Sequence, residues 1–275
     1  VIVVHGIYLN MIKTTETRII FSLFSLKISI KKNVLLIPIY ILSNYIYDIL
    51  ISKDIKQIQR KRYNYVSLGS YCFSRVITTY NKLKPTKNMG EKTMPFDLAF
   101  SSSIDSVAHL IETDFRDFFL DLKYDENKKY YVNDSISMVY NHDGELSLDQ
   151  FKQRYENRIK NLYEIFEKAE NHVFFIIATF EVINEAQIDN LIRVINKFMS
   201  LDKFDIILIN QNEKKTNLTS KDNLYIIEQA HNINAFNKIN IYGDWVNELK
   251  RRDSFAAIKI YYEVTSNLIK IIKSI

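Results

Sequence analysis

The sequence predicts an α/β fold with three layers, in which a mostly parallel sheet carries helices on both faces. "HVFFIIATF" is an apolar run of strand length, and "FDIILIN" and "NLYIIEQ" have apolar centres that do not alternate with polar residues. Strands of this kind are typical of a sheet whose two faces are both covered. Helical stretches separate the strands, and this alternation favours parallel pairing.

The first strands and helices of this pattern begin at residue 63. "YNYVSLGS" is a short strand that ends in a turn, and "CFSRVITTYNKL" is the helix after it. A polar loop with Pro85, Gly90 and Pro95 leads to "SIDSVAHLIETDFRDFF", whose apolar residues have helical spacing. "SISMVYNHD" alternates enough to predict another strand.

The second half of the pattern is dominated by amphipathic helices. Ser147 begins "SLDQ", and Gln150 three residues later completes a capping-box pattern at the start of a long helix. Residues 184–199 form the next predicted helix, with its apolar residues on one face. Residues 253–272 form an amphipathic helix near the end of the chain.

The N-terminal segment differs in character from the rest. Residues 34–51 read "VLLIPIYILSNYIYDILI", in which Asp48 is the single charged residue, and basic residues follow up to Arg62. An apolar helix followed by basic residues suits a membrane span, an anionic membrane surface or a packed core position, and Pro38 and Asp48 count against a full span. We therefore divide the chain into an N-terminal segment, 1–62, and an α/β domain, 63–275, with 34–62 as the candidate for peripheral membrane contact.

Composition excludes several classes of site and protein. The net charge is +5, and the sequence contains no recognisable nucleic-acid-binding motif. One cysteine excludes an internal disulfide and a cysteine-rich zinc site. Neither a phosphate-binding loop nor a dinucleotide-binding glycine pattern occurs. We expect no metal, cofactor or nucleic acid, and a reducing, cytoplasmic location that includes the inner face of the membrane.

The stretch "YVSLGSYCFSRV" places Cys72, the single cysteine, in the first turn of the helix that follows the first strand. Gly69 permits a sharp turn at that point. Free N–H groups at a helix N-terminus stabilise a thiolate and an oxyanion, and Arg75 adds a positive charge. Cys72 is therefore a candidate nucleophile, although its residue type alone favours a small buried side chain.

A thiol nucleophile needs a base, and His142 is the best placed of the five histidines. It closes a predicted strand in "YNHDG", and sites in α/β sheets assemble at strand ends. An exposed turn histidine is the alternative interpretation. His231 also follows a strand and is the second choice. His109 lies within a helix and His172 begins an apolar strand, so both are interpreted as structural.

The sequence leaves the identity of a third catalytic residue, beside Cys72 and His142, undecided. Asp97, in "MPFDLAF", either orients a histidine or caps the helix that follows. Asn210, at the end of "FDIILIN", is the other candidate. Asp143 is adjacent to His142 and would point to the opposite face of an extended strand. Asp143 is therefore placed with Ser70 and Asn210 among the candidate binding residues.

These clusters, in their order and spacing, resemble a bacterial family of domains of unknown function that is described as papain-like cysteine peptidases. The similarity extends approximately over residues 63–250 and includes the basic helix and apolar strand of "RYENRIKNLYEIFEKAENHVFFI". The matching positions are Ser67, Leu68, Gly69 and Cys72; Pro95, Phe96 and Asp97; Asn141, His142 and Asp143; and Arg154 and Arg158.

The resemblance implies a cysteine hydrolase in which Cys72 is the nucleophile and His142 the base. It also implies a papain-like α+β fold, in which the catalytic helix packs on an antiparallel sheet, as the alternative to a parallel sheet. Two positions depart from the family pattern. Leu98 stands in place of an aromatic residue and Ile177 in place of an arginine. If that arginine binds a substrate anion, altered specificity or lost activity is expected.

Two further functions stay open. The strand-Gly-Ser-helix turn is similar to the nucleophile turn of some serine esterases, so a hydrolase or transferase acting on esters or surface glycans through Ser70 or Asp97 is one alternative. A catalytically degenerate binding module is the other, and Leu98 and Ile177 favour it. The sequence does not decide between peptide, amide and ester substrates.

Overall fold

The computed structural model describes residues 2–4, 7–14, 18–23, 26–31, 51–85, 90–101, 103–212, 214–229 and 252–275. For residues 2–31 and 252–262 the description is limited to the backbone. The fold is mixed α/β, with a four-stranded parallel sheet and a four-stranded antiparallel sheet beside it. The predicted α/β class is thus confirmed, and the antiparallel sheet is an addition to it.

The described part of the N-terminal segment contains strands that the sequence pattern did not predict. Four strands pair in the order β1-β2-β3-β4, each antiparallel to its neighbour. They are β1 (Ile2–Val4), β2 (Ile7–Thr14), β3 (Arg18–Leu23) and β4 (Leu26–Lys31).

The remaining elements follow in chain order. From residue 51 to the antiparallel sheet they are α1 (51–60), β5 (Asn64–Ser70), α2 (Phe73–Tyr80), β6 (Phe100–Ser101), α3 (Ile104–Glu112), β7 (Leu122–Asp125), β8 (Tyr130–Asn133) and β9 (Met138–Tyr140). After it they are α4 (Leu148–Lys168), β10 (Val173–Thr179), α5 (Glu185–Ile195), a short 3-10 helix (Leu201–Lys203), β11 (Phe204–Asn210), β12 (Leu224–Glu228) and α6 (Arg252–Ser274).

The parallel sheet has the strand order β12-β11-β10-β5, so β5 is an edge strand. All three strand pairs are parallel. Every residue of β10 and β11 is buried, as expected for apolar strands covered on both faces. Because the strands are parallel, their carboxyl ends lie at one edge of the sheet, and Ser70, Thr179, Asn210 and Glu228 mark that edge.

Helices cover both faces of the parallel sheet. On one face, buried residues of α3, α4 and α5 pack with Val66, Phe175 and Leu208 from the strands. On the other face, buried residues of α1, α2 and α6 pack with Phe174 and Ile207. The helix that follows Cys72 thus packs on the parallel sheet, in contrast to the papain-like alternative, in which it would pack on an antiparallel sheet.

The antiparallel sheet has the order β6-β9-β8-β7. The sequence predicted β9 but not β7 or β8. It also predicted a longer α3, which ends at Glu112 because Asp114 and Phe115 both adopt a positive φ. Phe115 N–H donates to Leu110 O at 2.7 Å and Asp114 N–H to Ile111 O at 3.3 Å, which closes the helix C-terminus.

The greater part of the predicted apolar N-terminal helix, residues 34–50, lies outside the described residues. Ile51, the last residue of the stretch 34–51, is the first described residue of α1, in which Ile58 is buried against the parallel sheet. No helix in the described part of the chain combines the length and apolarity needed to cross a membrane. The division of the chain at residue 62 stays a prediction.

Candidate functional site

Cys72 lies between the end of β5 and the first residue of α2, at the carboxyl edge of the parallel sheet. Its side chain is half-buried against the aromatic cluster that contains Tyr71 and Phe180. Val76 N–H donates to Cys72 O at 2.9 Å, which is the first hydrogen bond of the helix. The three preceding N–H groups, on residues 73–75, therefore have no acceptor within the helix ladder.

The thiol of Cys72 is not activated by its own surroundings. Burial raises its pKa, and a backbone hydrogen bond at Cys72 lowers it only in part. The sequence predicted that the helix N-terminus would favour the thiolate; that effect stays a prediction, and burial acts in the opposite direction. Chemistry at this sulfur therefore requires a base.

Gly69 allows the chain to turn from β5 into α2. Its φ is +100°, which is costly for any residue with a side chain. A Cβ at this position would lie 3.6 Å from the Cβ of Ser101 and 3.7 Å from a methyl group of Val107. Ser74 Oγ donates to Gly69 O at 3.2 Å. The turn that carries Cys72 therefore passes close to β6 and α3, and the Ser74 hydrogen bond joins it to α2.

His142 lies in the turn after β9, and its side chain is exposed. Within the described residues it makes no hydrogen bond or ion pair, either with Cys72 or with any other group. The structure thus agrees with a turn position at the end of β9. The pairing of His142 with Cys72 stays a prediction.

Asp97 is the centre of a buried ion cluster. Its carboxylate is 0% exposed and accepts from Lys84 Nζ at 2.6 Å, from Arg75 Nη1 at 2.9 Å and from Met94 N–H at 2.7 Å. Glu91 also pairs with Arg75, at 2.7 Å. Asp97 therefore fixes the guanidinium of Arg75, one turn after Cys72, and no histidine is among its described partners.

The second interpretation of Asp97, as the cap of the next helix, is wrong. Ser103 is the N-cap of α3, and its hydroxyl accepts from Asp105 N–H at 3.1 Å. Asp97 precedes β6, too far along the chain to reach the free N–H groups of that helix. Its burial and its two cationic partners explain why an acid occurs between aromatic residues.

Asp143 is the centre of a second buried ion cluster. It accepts from Arg154 Nη1 at 2.5 Å, from the Tyr155 hydroxyl at 2.8 Å and from Arg158 Nη1 at 3.1 Å. Burial acts to raise the pKa of Asp143, but the charge of Arg158 and the hydrogen bonds from Tyr155 and both arginines leave it below its usual value. Asp143 thereby anchors the turn that carries His142 to α4.

The other two candidate binding residues lie at the carboxyl edge of the parallel sheet. Ser70 is the last residue of β5, is buried, and pairs with Ala178 of β10. Asn210 is buried at the end of β11, where its side-chain amide donates to Glu228 Oε2 at 2.7 Å and to Lys214 O at 3.2 Å. The amide of Asn210 therefore joins two strand ends.

The remaining histidines agree with the sequence analysis where they are described. His109 contacts Asp117 at 2.8 Å, and His172 contacts Asp205 at 2.7 Å. His231 lies outside the described residues. Among the described residues, no group of three or more His, Cys, Asp or Glu side chains is arranged to hold a metal ion.

The carboxyl edge contains polar residues that the sequence analysis missed. The Tyr71 hydroxyl donates to Gln211 Oε1, and Gln211 N–H donates to Thr179 O at 2.8 Å. Glu181 N–H donates to Thr179 Oγ1 at 3.0 Å. Burial, and next the charge of Asp105, raise the pKa of the Glu181 carboxyl. Asn210 was selected because sites in α/β sheets assemble at the ends of strands. The same reasoning would also have selected Thr179 and Gln211.

Comparison with known proteins gives one family. The model of the family "Putative papain-like cysteine peptidase (DUF1796)" matches residues 63–214. The match begins directly before β5, ends after β11, and contains Cys72, Asp97, His142 and Asp143. No curated protein and no solved structure matches the chain. Because the family match covers more than half of the 275 residues, this chain belongs to the family described as putative papain-like cysteine peptidases.

Proposed function

We propose that this protein is a cysteine-dependent hydrolase of amide or ester bonds, with Cys72 as the nucleophile and His142 as the base. The observation that supports the proposal most strongly is the position of Cys72. The sulfur lies at the carboxyl edge of a parallel sheet and at the N-terminus of α2, within the range matched by the family. Sites in open α/β sheets assemble at this edge.

The reaction requires both residues. His142 removes the proton from the Cys72 thiol, and the sulfur attacks the carbonyl carbon of the substrate. The N–H groups at the start of α2 donate to the oxygen that becomes negatively charged. The bond to the leaving group then breaks as the imidazolium returns its proton to the leaving amine or alcohol. Water, deprotonated by the same imidazole, hydrolyses the resulting thioester and restores the thiol.

The environment of the thiol supports the need for a base. Because burial raises the pKa of Cys72, the neutral thiol dominates near pH 7. His142 is exposed on a turn whose backbone is anchored by Asp143, so its side chain can change rotamer while the turn stays in place. A reducing compartment would keep the single thiol free, and we therefore also propose that the protein acts in the cytoplasm.

Alkylation by iodoacetamide tests this proposal directly, because Cys72 is the single cysteine of the chain. The rate of thiol modification is measured from acid to alkaline pH for the wild type and for His142→Ala, with Cys72→Ser as the blank. We expect the wild type to react at least about tenfold faster than His142→Ala near pH 7, which corresponds to one pKa unit. His109→Ala, which removes another exposed histidine, should match the wild type.

A second candidate function is a catalytically degenerate binding module. The absence of a hydrogen-bond or ion-pair partner for His142 among the described residues favours it. Ile177 is buried in the core at 1% exposure, so no cationic group is present where the family pattern has an arginine. Identical rate profiles for the wild type and His142→Ala would support this function and contradict the hydrolase.

A further inference from the structure

A cleft of about 740 Å³ lies at the opposite end of β5 from Cys72. It is formed by the end of α1, the first residues of β5, the segments 82–85 and 90–94, and the end of α4. Its apolar lining comes from Ile58, Val66, Leu83, Met94 and Ile165. Concave sites of this volume with an apolar lining are typical of small-molecule binding.

The charges around the cleft are unbalanced. Lys84 and Glu91 line it but belong to the ion cluster of Asp97, and Lys92 is paired with Glu164.

Three further cations line the cleft: Arg62, Lys82 and Lys168. None of the three makes an ion pair with a described residue, and Glu170 is the one carboxylate of the lining left to oppose them. The cleft therefore presents an excess of positive charge next to apolar surface.

An uncharged hydrogen-bond donor is also present at the cleft. β5 is the edge strand, and Asn64 N–H donates to His172 O on the β10 side at 3.0 Å. Because N–H directions alternate along a strand, the backbone N–H of Tyr65 points away from β10. Tyr65 is among the residues that line the cleft, whereas its hydroxyl is enclosed in the core, where the ring stacks on Phe174.

The three cations suit a ligand group with negative charge, and the outward N–H of Tyr65 adds a neutral donor at the edge of β5. The apolar lining suits a hydrocarbon or aromatic body attached to that charged group.

We propose that this cleft is a binding site for a small organic anion, in which an apolar body is joined to a carboxylate or phosphate head group. The site is separate from Cys72, since Val66 and Ser70 are four residues apart on an extended strand, a distance of about 13 Å. The proposal therefore does not depend on the proposed hydrolase.

Calorimetric titration of the full chain tests the site with three probes below their micelle concentrations: decanoate, decyl phosphate and decyltrimethylammonium. We expect saturable one-site binding of at least one of the two anions and none of the cation. Whether decanoate or decyl phosphate binds more tightly identifies the head group. Affinity should fall as salt is added, because screening weakens attraction between exposed charges.

The matched variant is the triple substitution Arg62→Gln, Lys82→Gln and Lys168→Gln, and the control is Lys152→Gln. Lys152 lies on α4 like Lys168, but near its other end and outside the cleft. We expect the triple variant to bind the anion at least about tenfold more weakly, a change of about 1.4 kcal/mol, and the control to match the wild type.

Thermal unfolding followed by circular dichroism verifies that the variants are folded. The absence of saturable anion binding, equal binding of the cation, or an unchanged affinity in the folded triple variant would each overturn the proposal. Binding of an acidic peptide together with failure of both small anions would also overturn it, in favour of a strand-docking site on β5.

Discussion

At the scale of single residues, the two acids of the family motifs have structural partners that explain their positions. Asp97 and Asp143 are each less than 2% exposed, and each joins a loop to a helix through cationic side chains. The sequence identified both acids, but it could not identify Lys84 or Glu91 as members of the cluster. Those partners depend on the path of the loop between α2 and β6, for which local sequence gives no rule.

Substitution of Asp97 by Asn tests the importance of its ion cluster. Asp97→Asn keeps the shape of the side chain but leaves Arg75 and Lys84 opposed by Glu91 alone. Removal of one partner from a buried ion pair costs about 3 kcal/mol, and we expect a loss of that size in the free energy of unfolding, measured with urea. Glu112→Gln, which breaks the exposed pairs with Arg193 and Lys197, should cost much less.

Asp143 gives a prediction about pH. Its folded pKa is below its usual value, so its contribution to stability is present above about pH 4 and is lost as the pH falls through the folded pKa. The wild type should therefore exceed Asp143→Asn in unfolding free energy near pH 7, and the difference should shrink in acid. Urea unfolding of both proteins over a pH series measures this difference. A difference that grows on acidification would contradict the lowered pKa.

At the scale of elements, prediction succeeded where local chemistry decides the structure. The cap at Ser147 and the buried strands β10 and β11 follow directly from residue pattern. The hairpin of β7 and β8 was missed because each strand has only four residues, too few for a periodic pattern to identify it, and most of those residues are half-exposed. The end of α3 was missed because non-glycine residues, Asp114 and Phe115, adopt the positive φ that ends it.

The capping box of α4 gives a prediction at this scale. Ser147 Oγ accepts from Gln150 N–H at 3.3 Å, and Ser147 N–H donates to Gln150 Oε1 at 3.0 Å. Ser147→Ala removes the first of these bonds and should lower the free energy of unfolding by about 1 kcal/mol. Gln153→Ala, at an exposed position within the same helix, is the control and should have little effect. Equal losses in the two variants would contradict a capping role.

At the scale of the whole molecule, the parallel sheet separates the two hydrophobic cores, which pack on its opposite faces. Its edge strand β5 has Cys72 at one end and the cleft at the other. The sequence predicted helices on both faces, because the central residues of β10 and β11 are apolar without alternation. It could not predict which helix lies on which face, since each helix has one apolar face that suits either. The cleft at the start of β5 also escaped prediction, because segments distant in the chain form it.

The shared sheet leads to a final prediction about cooperativity. Leu110 of α3 and Leu268 of α6 are both 0% exposed, and they pack on opposite faces of the parallel sheet. Leu110→Ala and Leu268→Ala should each lower the unfolding free energy by about 2–5 kcal/mol. Because strands such as β10 contribute side chains to both cores, loss of either core removes support from the other. Each variant should therefore unfold in one transition that coincides by circular dichroism and tyrosine fluorescence. Two separated transitions in Leu268→Ala would instead show that the layer of α1, α2 and α6 unfolds independently of the rest.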